Sequence, residues 1–169
     1  TSTRFLVFGV KRLNEVAANV RSTILLNLLS YMTDKLLIEG NTVAALDELY
    51  IWLGNPVAVE YIRNALKRVR KKNSAMLMAS QNVEDFDRPG VREMTKPLFS
   101  IPPHQFLFNC GTVNKKEFMD LLQLEESEFN IIQAPHKGEC LYKCGNERYD
   151  LLVTAPAYKE KLFGKAGGR

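Results

Sequence analysis

Two short, unbroken apolar runs, residues 42–46 and 75–79, flank a stretch whose apolar residues recur at helical spacing, and this pattern constrains the fold more than any other feature. Such runs are too short for a buried helix. Apolar without alternation, they suit strands covered on both faces, as in a parallel sheet. Between them Gly54-Asn55-Pro56 breaks the chain and sets proline where helices begin. Ala58, Ile62, Ala65 or Leu66, and Val69 then supply the buried stripe of a helix reaching about Lys72. Parallel neighbours need a crossover of this kind, so the reading is an α/β chain with helices on the faces of a mainly parallel sheet.

The remaining segments are read around that unit. Residues 4–10 read as a short strand, and Asn14 with Glu15 as the cap of a long helix over about 16–39, closed by Gly40. Asn19, Thr23, Asn27, Ser30 and Asp34 recur at spacings of three or four and form its wet face; the rest is expected to be buried. Further along, a short helix is expected over 91–96, a strand over 105–110, and two amphipathic helices over about 115–122 and 125–133. Residues 139–143 and 149–154 alternate across Cys144-Gly145-Asn146-Glu147, a hairpin signal, and the tail after Pro156 is expected to fray.

Composition narrows the class without naming a function. The 169 residues are 46% hydrophobic and 25% charged, a globular balance, and a net charge of +4 with a pI near 9.0 permits an anionic partner without demanding one. The most apolar stretch, 24–38, is interrupted by Asn27, Ser30, Asp34 and Lys35 and falls short of the roughly 20 residues of a spanning helix. No secretory signal is present, so the cytoplasm is expected. The chain opens at Thr1 and enters Phe5-Leu-Val-Phe8 at once, the pattern of a chain that starts inside a domain.

The first strand of the central unit runs into Asp47 and Glu48, two adjacent acids that cost several kcal/mol each if buried unpaired. The second ends at Ser80-Gln81. In α/β sheets ligands gather beyond the carboxyl ends of parallel strands, so neighbouring strands would bring Asp47, Glu48 and Gln81 to one rim. Those residue types suit a metal-bound triphosphate. Asp47 offers an oxygen to hydrated Mg²⁺, Glu48 orients and deprotonates a water, and Gln81 holds that water or the terminal phosphate. The same acids also fit a solvated strand end or a turn cap.

These residues carry a resemblance. The run LDELYIWLGNPVAVEYIRNALKRVRKKNSAMLMASQNVEDF, a QFLFNCG strand and the QAPHKGECLYKCGNERYDLLV hairpin resemble the second half of the RecA-like motor domain of the traffic ATPases of conjugation and type IV secretion, the VirB4 type. The resemblance implies a RecA-like P-loop NTPase core fragment over residues 1–155, with a C-terminal β-hairpin and a tail over 156–169. It implies Asp47 and Glu48 as the Walker B pair, on magnesium and in catalysis, Gln81 as a sensor for nucleotide and catalysis, and Arg70 as an arginine finger acting in trans. ATP and Mg²⁺ would be held by the complete protein rather than by this piece alone. No G-x-x-x-x-G-K-[ST] occurs; Gly164-Lys165 lies at the end, and Gly111 to Lys115 has the wrong glycine spacing. The implied parent self-associates as a ring or other homo-oligomer, meets other secretion components, and lies peripherally at the inner face of the cell membrane. A DNA-translocating ring ATPase and a non-catalytic interaction module are the alternatives.

Three other groups of residues carry less. Arg63, Lys67 and Arg70 share a helix face, which suits a solvated surface, a trans-acting arginine or DNA phosphate contacts. Cys110, Cys140 and Cys144 are expected to be reduced thiols, and their spacing relative to His104 and His136 is not that of a zinc finger. Trp52 and Phe86 are expected in the core rather than as stacking platforms.

Overall fold

The helix read over 16–39 begins with Ala18–Thr33 (α1) and widens into a π-helical turn, Asp34–Glu39, in a computed structural model that describes residues 4–81, 86 and 92–164. Gly40 ends it at φ +74°, its N–H donating to Lys35 O, five residues back. Glycine is required here twice over: the conformation is left-handed, and a Cβ would stand 2.8 Å from Lys72 O. Asn14 and Glu15, read as its cap, lie in a 3₁₀ turn, Lys11–Glu15, ahead of the helix, and the N-cap position falls instead on Ala17, which offers no side-chain cap. The wet face is exposed as read. The other face is not all buried, since Val16, Val20 and Ile24 are exposed while Leu25 and Leu29 are covered.

The strand–helix–strand unit forms, but its strands are covered on one face only: exposed and covered residues alternate along both, with Val43 and Leu77 exposed. Val43–Leu46 (β1) is followed by a short helix Tyr50–Leu53 (α2), the crossover helix Pro56–Arg68 (α3) with a 3₁₀ turn Val69–Lys72, and Ala75–Met78 (β2). The strands pair in parallel, Val43 opposite Ala75 and Leu46 opposite Met78. Asn55 caps α3, its Oδ1 accepting from Val57 N at 3.0 Å, with Pro56 in the first turn. Ala58, Val59, Ile62, Ala65 and Val69 are buried as a stripe, and Leu36, Leu37, Ala65 and Val69 form a core packed against Ala44 and Met76. Ser74 stitches the amino ends together: its buried hydroxyl donates to Leu36 O at 2.8 Å and accepts from Thr42 N at 3.2 Å. Trp52 and Phe86 are buried.

Residues 4–10 are not a strand. They run irregularly with Phe5 and Val7 largely exposed, touching α1 through an edge contact of Phe8 with Tyr31. A short apolar run makes a strand only where another edge offers hydrogen bonds, and among the described residues these find none in a ladder.

The chain divides into two compact units at Leu98 and Phe99, near the end of the helix Arg92–Ser100 (α4), which runs past Pro97 rather than stopping before it. In the second unit His104–Leu107 (β3), Glu139–Cys144 (β4) and Glu147–Leu152 (β5) form an antiparallel sheet in that order. The strands therefore fall in two sheets, one parallel and one antiparallel. Gly145, at φ +58°, opens the two-residue hairpin turn, the place where glycine relieves a primed turn. Lys115–Leu122 (α5) and Glu126–Gln133 (α6) match the expected helices; Glu125 and Glu128 close a capping box on α6. Leu141 and Lys143 face inward on β4, and the Lys143 ammonium donates to Leu122 O at the end of α5, a favourable place for a cation. The tail expected to fray instead contains a helix, Ala157–Phe163 (α7).

Candidate functional site

The parallel register decides where the three polar residues after β1 and β2 meet. Because Leu46 lies opposite Met78, both strands leave the sheet at the same rim. The ladder continues beyond the strands: Ala79 N donates to Leu46 O and Leu49 N to Ala79 O, each at 2.9 Å. That second bond draws the 47–49 turn against the segment leading to Gln81.

Within this frame Gln81 Nε2 donates to Glu48 Oε1 at 2.7 Å, joining residues 33 apart in sequence. Asp47 is exposed, and its Oδ1 accepts from Glu48 N at 3.0 Å. Asp47 thus does what a strand-end acid ordinarily does, capping the next amide, while its carboxylate stays on the surface. Glu48 is half-buried and has φ +52°. A left-handed glutamate carries strain that persists only where surrounding bonds impose it; here these are the Asp47 cap, the Leu49–Ala79 bond and Ile51 N donating to Glu48 O at 3.0 Å. The first turn of α2 therefore aims Glu48 at Gln81.

The arrangement offers chemistry of a specific kind. A surface carboxylate, a second carboxylate held by an amide, and that amide's remaining N–H lie together at a sheet rim. Hard cations take carboxylate oxygens, and a positioned carboxylate can accept a proton from water. Arg70 does not join them. It is exposed in the 3₁₀ turn before β2, at the opposite end of a strand about 13 Å long. On the helix face read as basic, Lys67 is exposed, whereas Arg63 is half-buried with its Nε covered and without a hydrogen-bond partner among the described residues.

Residue pattern alone pointed to Asp47, Glu48 and Gln81. It did not point to the backbone strut from Leu49 to Ala79 or to the left-handed Glu48, for which glutamate is no signal; Asn or Gly would have been. In the second unit the three thiols are free, with Cys140 buried.

No protein-family model matches the chain. It is 31% identical over 134 residues to the second portion of a probable conjugal transfer protein TrbE of Sinorhizobium fredii, a match spanning 76% of this chain and 19% of that protein. To the conjugal transfer protein TrbE of Rhizobium radiobacter it is 29% identical, over 70% of this chain and 15% of the relative. To the type IV secretion system protein CagE of Helicobacter pylori it is 30% identical, over 60% and 10%. The chain thus spans a fifth or less of these relatives' length. Among solved structures it matches VirB4 of Thermoanaerobacter pseudethanolicus with a TM-score of 0.79 and 28% identity, over 90% of this chain and 42% of that one. The RecA-like reading of the fold holds.

Proposed function

Because the chain belongs to the VirB4-type family of conjugation and type IV secretion proteins, we propose that it carries the acid-and-sensor half of an ATP-hydrolysing site that powers conjugative transfer or type IV secretion. One observation supports this above the others. The Gln81 amide holds the Glu48 carboxylate at 2.7 Å on the rim where Asp47 presents its own.

The donor set fits a magnesium–triphosphate on one side. Asp47 supplies the hard oxygen for the cation, directly or through its water shell. Mg²⁺ and the triphosphate, when bound, supply the electrophilic phosphorus and the charge neutralisation. Glu48 orients a water and takes its proton; the Gln81 amide, beside that carboxylate, holds the same water or the terminal phosphate. The backbone cradle for the phosphates lies outside these residues and would come from elsewhere in a longer polypeptide.

Arg70, remote from its own acids, fits a role toward a neighbouring subunit's nucleotide in a ring or other homo-oligomer. DNA contact through Arg63, Lys67 and Arg70 is the second use of that face. The working place is the inner face of the cell membrane, among other secretion components; no helix among the described residues is long and apolar enough to cross a membrane.

The test is ATP turnover by a full-length protein containing this segment. Glu48→Gln is expected to lower kcat by at least about a hundredfold, the usual worth of a positioned general base, with nucleotide affinity retained. Turnover unchanged in that variant refutes the assignment, and no turnover in the parent favours the interaction module.

A further inference from the structure

We propose that α7 is a docking helix for an anionic lipid surface. Every residue of α7 is exposed, with Tyr158 62%, Leu162 72% and Phe163 59% accessible. A seven-residue helix that buries nothing does not hold itself together in water, because one or two turns do not repay their nucleation. Something must lie against it for the helix to persist.

The order of its residues says what. At about 100° per residue, Tyr158 and Leu162 stand one above the other as a narrow apolar strip, and Phe163 falls outside it, beyond Lys159. Lys161 and Lys159 fall on the two flanks of this apolar strip, and Glu160 falls on the far side. A helix lying at a bilayer interface distributes its residues in this way, with apolar side chains toward the acyl region, lysines snorkelling at its borders to headgroup phosphates, and acids turned to water. In sequence Lys165 and Arg169 follow, so the segment after Pro156 carries four cations and one acid.

The inference rests on the membrane placement proposed above and adds the element and the lipid chemistry. It is tested with the chain itself, by co-sedimentation with phosphatidylethanolamine–phosphatidylglycerol vesicles and with phosphatidylcholine vesicles, while backbone NMR reads the helicity of residues 157–163. The chain is expected to bind the anionic vesicles alone, less tightly as salt rises, with α7 helicity increasing on binding. Each lysine near an anionic surface is worth about fivefold in partitioning, so Lys159→Glu with Lys161→Glu should weaken binding by more than tenfold. Leu162→Glu should do so as well, and Glu160→Lys should strengthen it. These residues are exposed, so circular dichroism should report an unchanged fold in every variant.

Equal binding to phosphatidylcholine, indifference to the lysine reversals, or no vesicle binding overturns the proposal. So does a concentration-dependent dimer abolished by Leu162→Glu, which would make a second copy the partner. Fractionation of the full-length protein separates the two readings. If it sediments with native membranes while the chain ignores anionic vesicles, the α7 proposal falls and the membrane placement stands.

Discussion

Glycine at position 48 is expected to leave the chain more stable than alanine there, the reverse of the usual order. Glu48 has φ +52°, where a Cβ crowds the carbonyl oxygen at a cost of about 1–2 kcal/mol that glycine does not bear. Against this, the freer unfolded chain of glycine costs about 0.4–1 kcal/mol relative to alanine. Both variants lose the carboxylate that accepts from Gln81 Nε2, so that contribution cancels in the comparison. What remains is about 1 kcal/mol in favour of glycine. With a urea dependence of about 2 kcal/mol/M, the glycine variant should unfold at a midpoint higher by about 0.5 M. Equilibrium urea unfolding read by circular dichroism, with Trp52 fluorescence as the second probe, measures it. A glycine variant that unfolds earlier than the alanine one would refute the left-handed conformation, and with it the argument that surrounding hydrogen bonds hold this acid under strain.

The other predictions concern the frame around the site. Asn55→Ala should destabilise by about 1 kcal/mol through loss of the α3 cap, and Asn55→Asp should restore most of it; urea unfolding again decides, and an unchanged midpoint would remove the cap from the account. Lys143 should give the chain a pH-dependent stability at high pH. Burial first, and the neighbouring Arg148 charge second, hold its ammonium below its usual range, with Glu128 opposing. A lysine whose folded pKa is lowered costs stability while protonated. Stability should therefore rise as pH climbs from that lowered pKa toward the ordinary value of 10.5. Lys143→Met should be flatter over the same window, and parallel profiles of the two proteins would refute the burial argument.

Much of the fold was legible because it follows from short-range rules. Pro56 after Asn55, the apolar stripe at helical spacing, the short unbroken apolar runs and the Gly145-Asn146 turn each specify local geometry. Where such a rule lacked its partner, the reading failed. Residues 4–10 are a short apolar run like a strand and find no ladder partner among the described residues, and the α1 face carrying Val20 and Ile24 is apolar yet exposed. The tail composition concealed α7, whose large apolar residues are only three.

The candidate site divides along the same line. By itself the amino-acid order determined which residues could do the chemistry, two adjacent acids after one apolar run and an amide after the next, because an apolar run that ends in charge marks a sheet rim. Only the tertiary structure decided that Gln81 reaches Glu48, that Glu48 bends left-handed and that Arg70 lies at the far end. Those facts depend on the register of two strands separated by a whole helix. Register is set by long-range packing and hydrogen bonding, which no local window of residues contains.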